Sequence, residues 1–140
     1  MTKRIFINLP VADVAASTAF YEAIGCTRDE QFSNESGAAM VWSDTISFML
    51  LSHELYGRFT SKPIADARAN SAALFALAFD TRDDVDAFAA AAVAAGGREL
   101  HGAEDEGFMY SRGVEDPDGN GFGPFWMDAS AAPADAEAAA

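Results

Sequence analysis

One spacing constrains this chain more than any other. Asp13 opens a stretch that ends at Gly25, and Asp84 opens one that ends at Gly96. Both stretches run 12 positions, and 84 − 13 and 96 − 25 both give 71. Each carries a helical apolar stripe: Val14, Phe20, Tyr21 and Ile24 in the first, Val85, Phe88, Ala89, Ala92 and Val93 in the second. Asp is a helix N-cap residue, and Gly is the residue that leaves a helix in a left-handed turn. The register predicts an internal duplication, although few residues are identical between the halves.

The flanks repeat as well. Before the first helix, residues 4–10 alternate, with Ile5, Ile7 and Leu9 against Phe6, Asn8 and Pro10. Before the second, residues 73–80 set Phe75, Leu77 and Phe79 against Leu74, Ala76, Ala78 and Asp80. This two-residue period predicts strands. Three short strand candidates follow each helix: residues 27–33, 37–43 and 46–52, then 98–102, 108–115 and 121–127. Asn34-Glu35-Ser36-Gly37 and Ser43-Asp44 read as turns between the first three. Asp116-Pro117-Asp118-Gly119 reads as a type I turn, with Pro117 at its second position. Residues 53–71 lack a period and contain Pro63, with a short helix expected at 54–59. The predicted organisation is one domain over 1–128: module one at 3–52, a connector at 53–71 and module two at 72–128. The alanine-rich residues 129–140 are expected to form a flexible tail.

Composition excludes several classes. Half of the 140 residues are hydrophobic, with 11 Phe against three Tyr and two Trp, enough for a packed core. No apolar run approaches the ~18 residues of a membrane span. The first residues lack a signal-peptide cleavage pattern, and the lone Cys26 has no disulfide partner in the chain. A cytoplasmic protein is expected. The formal charge of −13 argues against nucleic acid as a partner.

With the doubled unit, the opening strand ending in Val11-Ala12-Asp13, the helix with Phe20-Tyr21 near its end, and the Asp116-Pro117-Asp118-Gly119 turn, residues 3–128 resemble the vicinal oxygen chelate superfamily. Its relatives include glyoxalase I, bleomycin-resistance proteins and extradiol dioxygenases. The resemblance implies an α+β fold of two βαβββ modules, with curled sheets around a central cleft and helices outside. It also implies a homodimer, and a divalent metal held by one His or Glu from each of four strands. Those positions fall here on Phe6, Met49, Ala76 and Gly123, and Asn120 stands where many members carry His. Phenyl, methyl and glycine groups bind no such metal, and the Met49 thioether is a soft donor. Shifting the register by one residue also finds no ligand. No metal and no cofactor are therefore expected.

The remaining candidates are sparse. The implied cleft positions are Phe6, Asn8, Met49, Ala76, Asp80, Gly123 and Phe125: mostly apolar, with two polar anchors. Tyr110 and Arg112 join them if the seventh strand borders the cleft. Arg112 then offers a guanidinium to an anion; the alternative is an ion pair with a nearby acid. His53 and His101 match no metal spacing and read as exposed loop residues. Cys26 reads as a small buried residue rather than a nucleophile.

Three functions compete. The first is a metal-independent small-molecule binder of the bleomycin-resistance kind. The second is a glyoxalase-type lyase or isomerase working through Asp80, Tyr110 or Glu115. The third is a structural or regulatory dimer. No catalytic residue is assigned, and the ligand is unnamed.

Overall fold

The computed structural model describes residues 2–130. From residue 131 on, the alanine-rich segment lies outside the described residues, as does Met1. The chain runs β1 (Ile5–Val11), α1 (Val14–Ala23), β2 (Thr27–Asp29), a 3-10 turn (Glu30–Phe32), β3 (Gly37–Val41), β4 (Ile46–Ser52) and α2 (His53–Tyr56). The second half gives β5 (Leu74–Phe79), α3 (Arg82–Ala94), β6 (Arg98–Asp105), β7 (Met109–Glu115) and β8 (Gly121–Met127).

Two four-stranded sheets result, ordered β1-β4-β3-β2 and β5-β8-β7-β6. In each, the helix carries the chain from the first strand to the far edge. An antiparallel meander then returns until its last strand lies parallel to the first. The duplication is thus real at the level of topology, and the sheets do not close into a barrel. Gly25 and Gly96 leave their helices at φ +117° and +107°, so the 71-residue offset holds where only glycine is comfortable.

The offset fails at the helix starts. Asp13 caps α1, its carboxylate accepting from Ala16 N at 3.0 Å. α3 begins a turn earlier than its aspartates suggest. Its cap is Thr81, whose hydroxyl accepts from Asp84 N at 3.1 Å. Asp83 and Asp84 instead lie in the first turn, where the positive end of the helix dipole favours acids. Residues 27–33 are strand only to Asp29, because its carboxylate captures Gln31 N and starts the 3-10 turn. β6 runs longer than expected, reaching Asp105.

Strand alternation decides which faces are buried. Leu9, Val11, Met40, Phe48 and Leu50 from the first sheet join Val114 and Phe122 from the second. Phe20 and Tyr21 of α1 and Phe88, Ala89 and Ala92 of α3 complete this one core. Tyr21 touches both sheets, with ring centroids 5.4 Å from Phe48 and 6.0 Å from Phe122. Phe48 also meets Phe75 at 5.8 Å, and Trp42 meets Phe88 at 6.1 Å. Each such ring contributes about 1.5–3 kcal/mol by burial, more where edge-to-face pairs form.

The turn at 116–119 is a polar tie between the halves. Buried Asp116 accepts hydrogen bonds from Tyr21 Oη at 2.7 Å and from Asn120 Nδ2, Asn120 N and Asp118 N at 2.9 Å. Asp118 accepts from Ala12 N at 2.9 Å and Ser17 Oγ at 3.2 Å. Burial pushes the Asp116 carboxyl above its usual range, against the pull of the donors around it. Burial, then Asp116, pushes the Tyr21 hydroxyl well up.

Candidate functional site: the helix-free faces and the hollow at their junction

Strand register places most of the expected site residues on the faces turned away from the helices. Asn8 pairs with Met49, and Phe6 pairs with Ser47 on the same face. In the second sheet Ala76 pairs with Gly123 and Ala78 with Phe125. Asp80 follows the end of β5 and is exposed. A Cβ added at Gly123 would meet nothing within 4 Å, so this face is open there. Phe6 is 56% exposed and Leu74 73%, both high for large apolar side chains.

Tyr110 and Arg112 lie on the other face. They share alternation with Val114, a core residue, and so point toward α3. The Tyr110 hydroxyl donates to Asp86 at 2.7 Å; Arg112 donates to Asp86 at 3.2 Å and to Glu99 at 2.7 Å. These bonds, Tyr110 first, hold the Asp86 carboxyl below its usual value, while Asp86 raises the Tyr110 hydroxyl. Arg82 lies over the rings of Tyr110 at 5.4 Å and Trp126 at 5.0 Å and pairs with Asp105. The group clamps α3 to β6 and β7. The parity of Val114 was the sequence signal that separates Arg112 from the cleft.

The donor set does not suit a divalent metal. Phe6, Met49, Ala76 and Gly123 bring one thioether and no hard donor. Among the described residues, no three His, Cys, Asp or Glu side chains gather as a cation would require. His101 is a strand residue, not a loop one, and its ring lies over Gly113, where an added Cβ would come within 2.5 Å of it. Buried Cys26 has its thiol pushed up to about 12 by desolvation, which leaves it inert.

Sequence reasoning missed a hollow of about 660 Å³ where β1, the start of β5 and the start of β8 come together. Of the expected ligand-binding residues only Asn8 lines it, together with the acid–base candidate Glu115. His53 and Tyr56 of α2 stand on its wall, with Leu74, Leu100 and Asn120. Residues 64–73 supply much of the rest. This aperiodic segment is held against the 116–120 turn. Asp66 accepts from Arg68 N at 3.0 Å, and Arg68 donates to the Pro117 carbonyl. Nothing in its composition signals a pocket wall.

Among solved structures, hypothetical protein SA1046 from S. aureus aligns with TM-score 0.76 at 18% identity, over 91% of this chain and 95% of that one. A glyoxalase/bleomycin resistance protein/dioxygenase family enzyme from Burkholderia phytofirmans PsJN aligns with TM-score 0.73 at 20% identity, over 90% and 99%. The bleomycin resistance determinant encoded on transposon Tn5 aligns with TM-score 0.58 at 21% identity, over 91% and 99%. At these identities the likeness is one of fold. No curated protein matches by sequence. The model of the Glyoxalase/Bleomycin resistance protein/Dioxygenase superfamily matches residues 5–123. With that match and the doubled βαβββ topology, the chain belongs to the glyoxalase/bleomycin resistance protein/dioxygenase superfamily.

Proposed function

We propose that this protein is a metal-independent small-molecule binder whose ligand lies against the helix-free faces, at Phe6, Asn8, Met49, Ala76, Asp80, Gly123 and Phe125. The observation that carries the reading is the donor set. The four positions where the family resemblance implies metal ligands hold a phenyl ring, a thioether, a methyl group and no side chain at all. The same substitutions leave open space at Gly123 and an exposed ring at Phe6, the apolar walls and sparse polar anchors of a ligand site. Tyr110 and Arg112, engaged with Asp86 on the opposite face, are left out of this site. The lyase or isomerase alternative loses support at two of its acid–base candidates. Tyr110 serves the clamp, and buried Glu115 pairs with Arg98 at 2.6 Å.

The same reading includes a homodimer. β1 and β5 each pair on one side only, and Ile5 near the free edge of β1 is 54% exposed. Native proteins blunt or cover such edges, and a second copy of the chain would cover this one. Sedimentation velocity is expected to give twice the chain mass.

Elemental analysis after dialysis tests the metal-independent reading. The expected result is far less than one divalent ion per chain. About one Zn, Ni, Mn or Fe per chain, with a melting temperature lowered by chelator, overturns it. A thermal-shift screen of small organic molecules, run with and without divalent cations, then tests binding: a ligand of the native state raises the melting temperature as its concentration rises. Gly123→Leu is expected to abolish that rise by filling the open face, and Phe125→Ala to reduce it.

A further inference from the structure

The hollow beneath residues 64–73 has two chemically different walls. One is polar: Asn8 from β1 and His53 and Tyr56 from α2. None of these three side chains makes a hydrogen bond among the described residues, although each group both donates and accepts. The other wall is apolar, dominated by Leu74, 73% exposed, and Leu100, 47% exposed. Leu74 lies close over Gly121, where an added Cβ would come within 2.7 Å of its Cδ2. That glycine lets the leucine rest flat along the start of β8.

Each charged side chain of the lining makes at least one hydrogen bond. Asp118 accepts from Ala12 N and Ser17 Oγ, and Glu115 pairs with Arg98. Asp66 accepts from Arg68 N, and Arg68 donates to the Pro117 carbonyl. Asn8, His53 and Tyr56 thus form the main cluster of unengaged uncharged groups, with the Ser71 hydroxyl on the connector. The lining acids outnumber Arg68 and repel an anion.

We propose that this hollow binds an uncharged small molecule, with a hydrogen-bonding head held by Asn8, His53 and Tyr56 and a flat apolar body laid against Leu74 and Leu100. Its volume falls inside the range of roughly 300–1,000 Å³ typical of small-molecule sites. The inference rests on the reading of the chain as a small-molecule binder. It places the ligand in the hollow, which shares only Asn8 with the face proposed above.

Benzamide, benzamidine and benzoate share one ring and differ in head-group charge, so they separate the possibilities. Each is titrated into the full chain and followed by amide and methyl NMR shifts. Benzamide is expected to give saturable shifts at the Asn8 side-chain amide and the Leu74 and Leu100 methyls. It should bind about tenfold more tightly than benzoate, a difference of about 1.4 kcal/mol. Leu74→Trp, at an exposed position that leaves the core intact, should remove those shifts. Asn8→Ala combined with Tyr56→Phe should weaken binding several-fold while leaving the melting temperature near that of the parent. Benzamidine binding more tightly than benzamide would make the acids the anchors and overturn the proposal, as would equal binding of all three. Shifts confined to Met49, Gly123 and Phe125 would overturn it while leaving the proposed binding function standing. No saturable shift from any probe overturns it too, and the thermal-shift screen then judges the broader function separately.

Discussion

Asp116 accepts four hydrogen bonds at a position almost closed to water, and two of the donors belong to Asn120. Asp116→Ala strands all of them. A buried network that loses its acceptor costs about 3 kcal/mol or more, so the variant is expected to unfold at clearly lower urea in an equilibrium titration. Tyr21→Phe removes one donor and keeps the ring, and is expected to cost about 1 kcal/mol. The pH dependence has a definite sign. The native carboxyl of Asp116 is raised above its ordinary 3.8, so the native state holds this proton to higher pH than the unfolded chain. Its contribution to stability is full below the ordinary value and falls as pH rises through the native one. Compared with Asp116→Asn, the parent should therefore lose relative stability as pH climbs from about 3.8 toward neutral. A parent that gains instead would show that the four donors outweigh burial. Asp86 and Asp105 act oppositely. Their values are lowered, chiefly by hydrogen bonds from Tyr110 and Arg82, and what they contribute fades as pH falls through the native values.

At the scale of elements, α3 offers a direct comparison between pattern and cap. Its N-cap is Thr81, whereas the spacing of Asp13 and Gly25 points to Asp84. Thr81→Ala is expected to destabilise by about 1 kcal/mol, and Asp84→Ala by less, read from thermal or urea unfolding. The exit of α3 is equally constrained. A Cβ on Gly97 would stand 2.3 Å from the Glu115 carbonyl oxygen and 2.8 Å from the Phe20 ring, one in each half of the chain. Gly97→Ala is expected to cost about 1–3 kcal/mol by overpacking, since backbone on one side cannot move aside.

At the scale of the molecule, the two halves cohere through one aromatic core rather than through strand pairing. Phe122 meets Tyr21, Phe48, Phe75 and Phe88, with centroid distances from 5.4 to 6.3 Å, and so touches both sheets and both long helices. Phe122→Ala is expected to cost about 3–5 kcal/mol, lowering the urea midpoint for probes in both halves together. Separate transitions would mean that the halves melt independently.

The sequence by itself determined what repeats locally. Alternation in β1, β4, β5 and β8, the apolar stripes of α1 and α3, and the glycines that leave them all follow from backbone geometry over a few residues. The duplication follows from their spacing. Phe6, Met49, Ala76 and Gly123 were singled out by the family resemblance; alternation then set the face each occupies, because a strand residue has only two to choose from. Tertiary structure decided what local pattern does not encode. Thr81 rather than Asp84 caps α3 because the chain leaving β5 turns there, and only the fold brings Asp86 and Glu99 onto Arg112. The turn at 116–119 looked like a simple reversal. Only folding brings Tyr21, Ala12 and Ser17, 95 to 106 positions away, onto its carboxylates. The hollow lined by Asn8, His53 and Tyr56 was the least legible feature of all. Its walls come from a strand, a single helical turn and an aperiodic connector, whose meeting depends on how the two sheets pack and on no spacing within the chain.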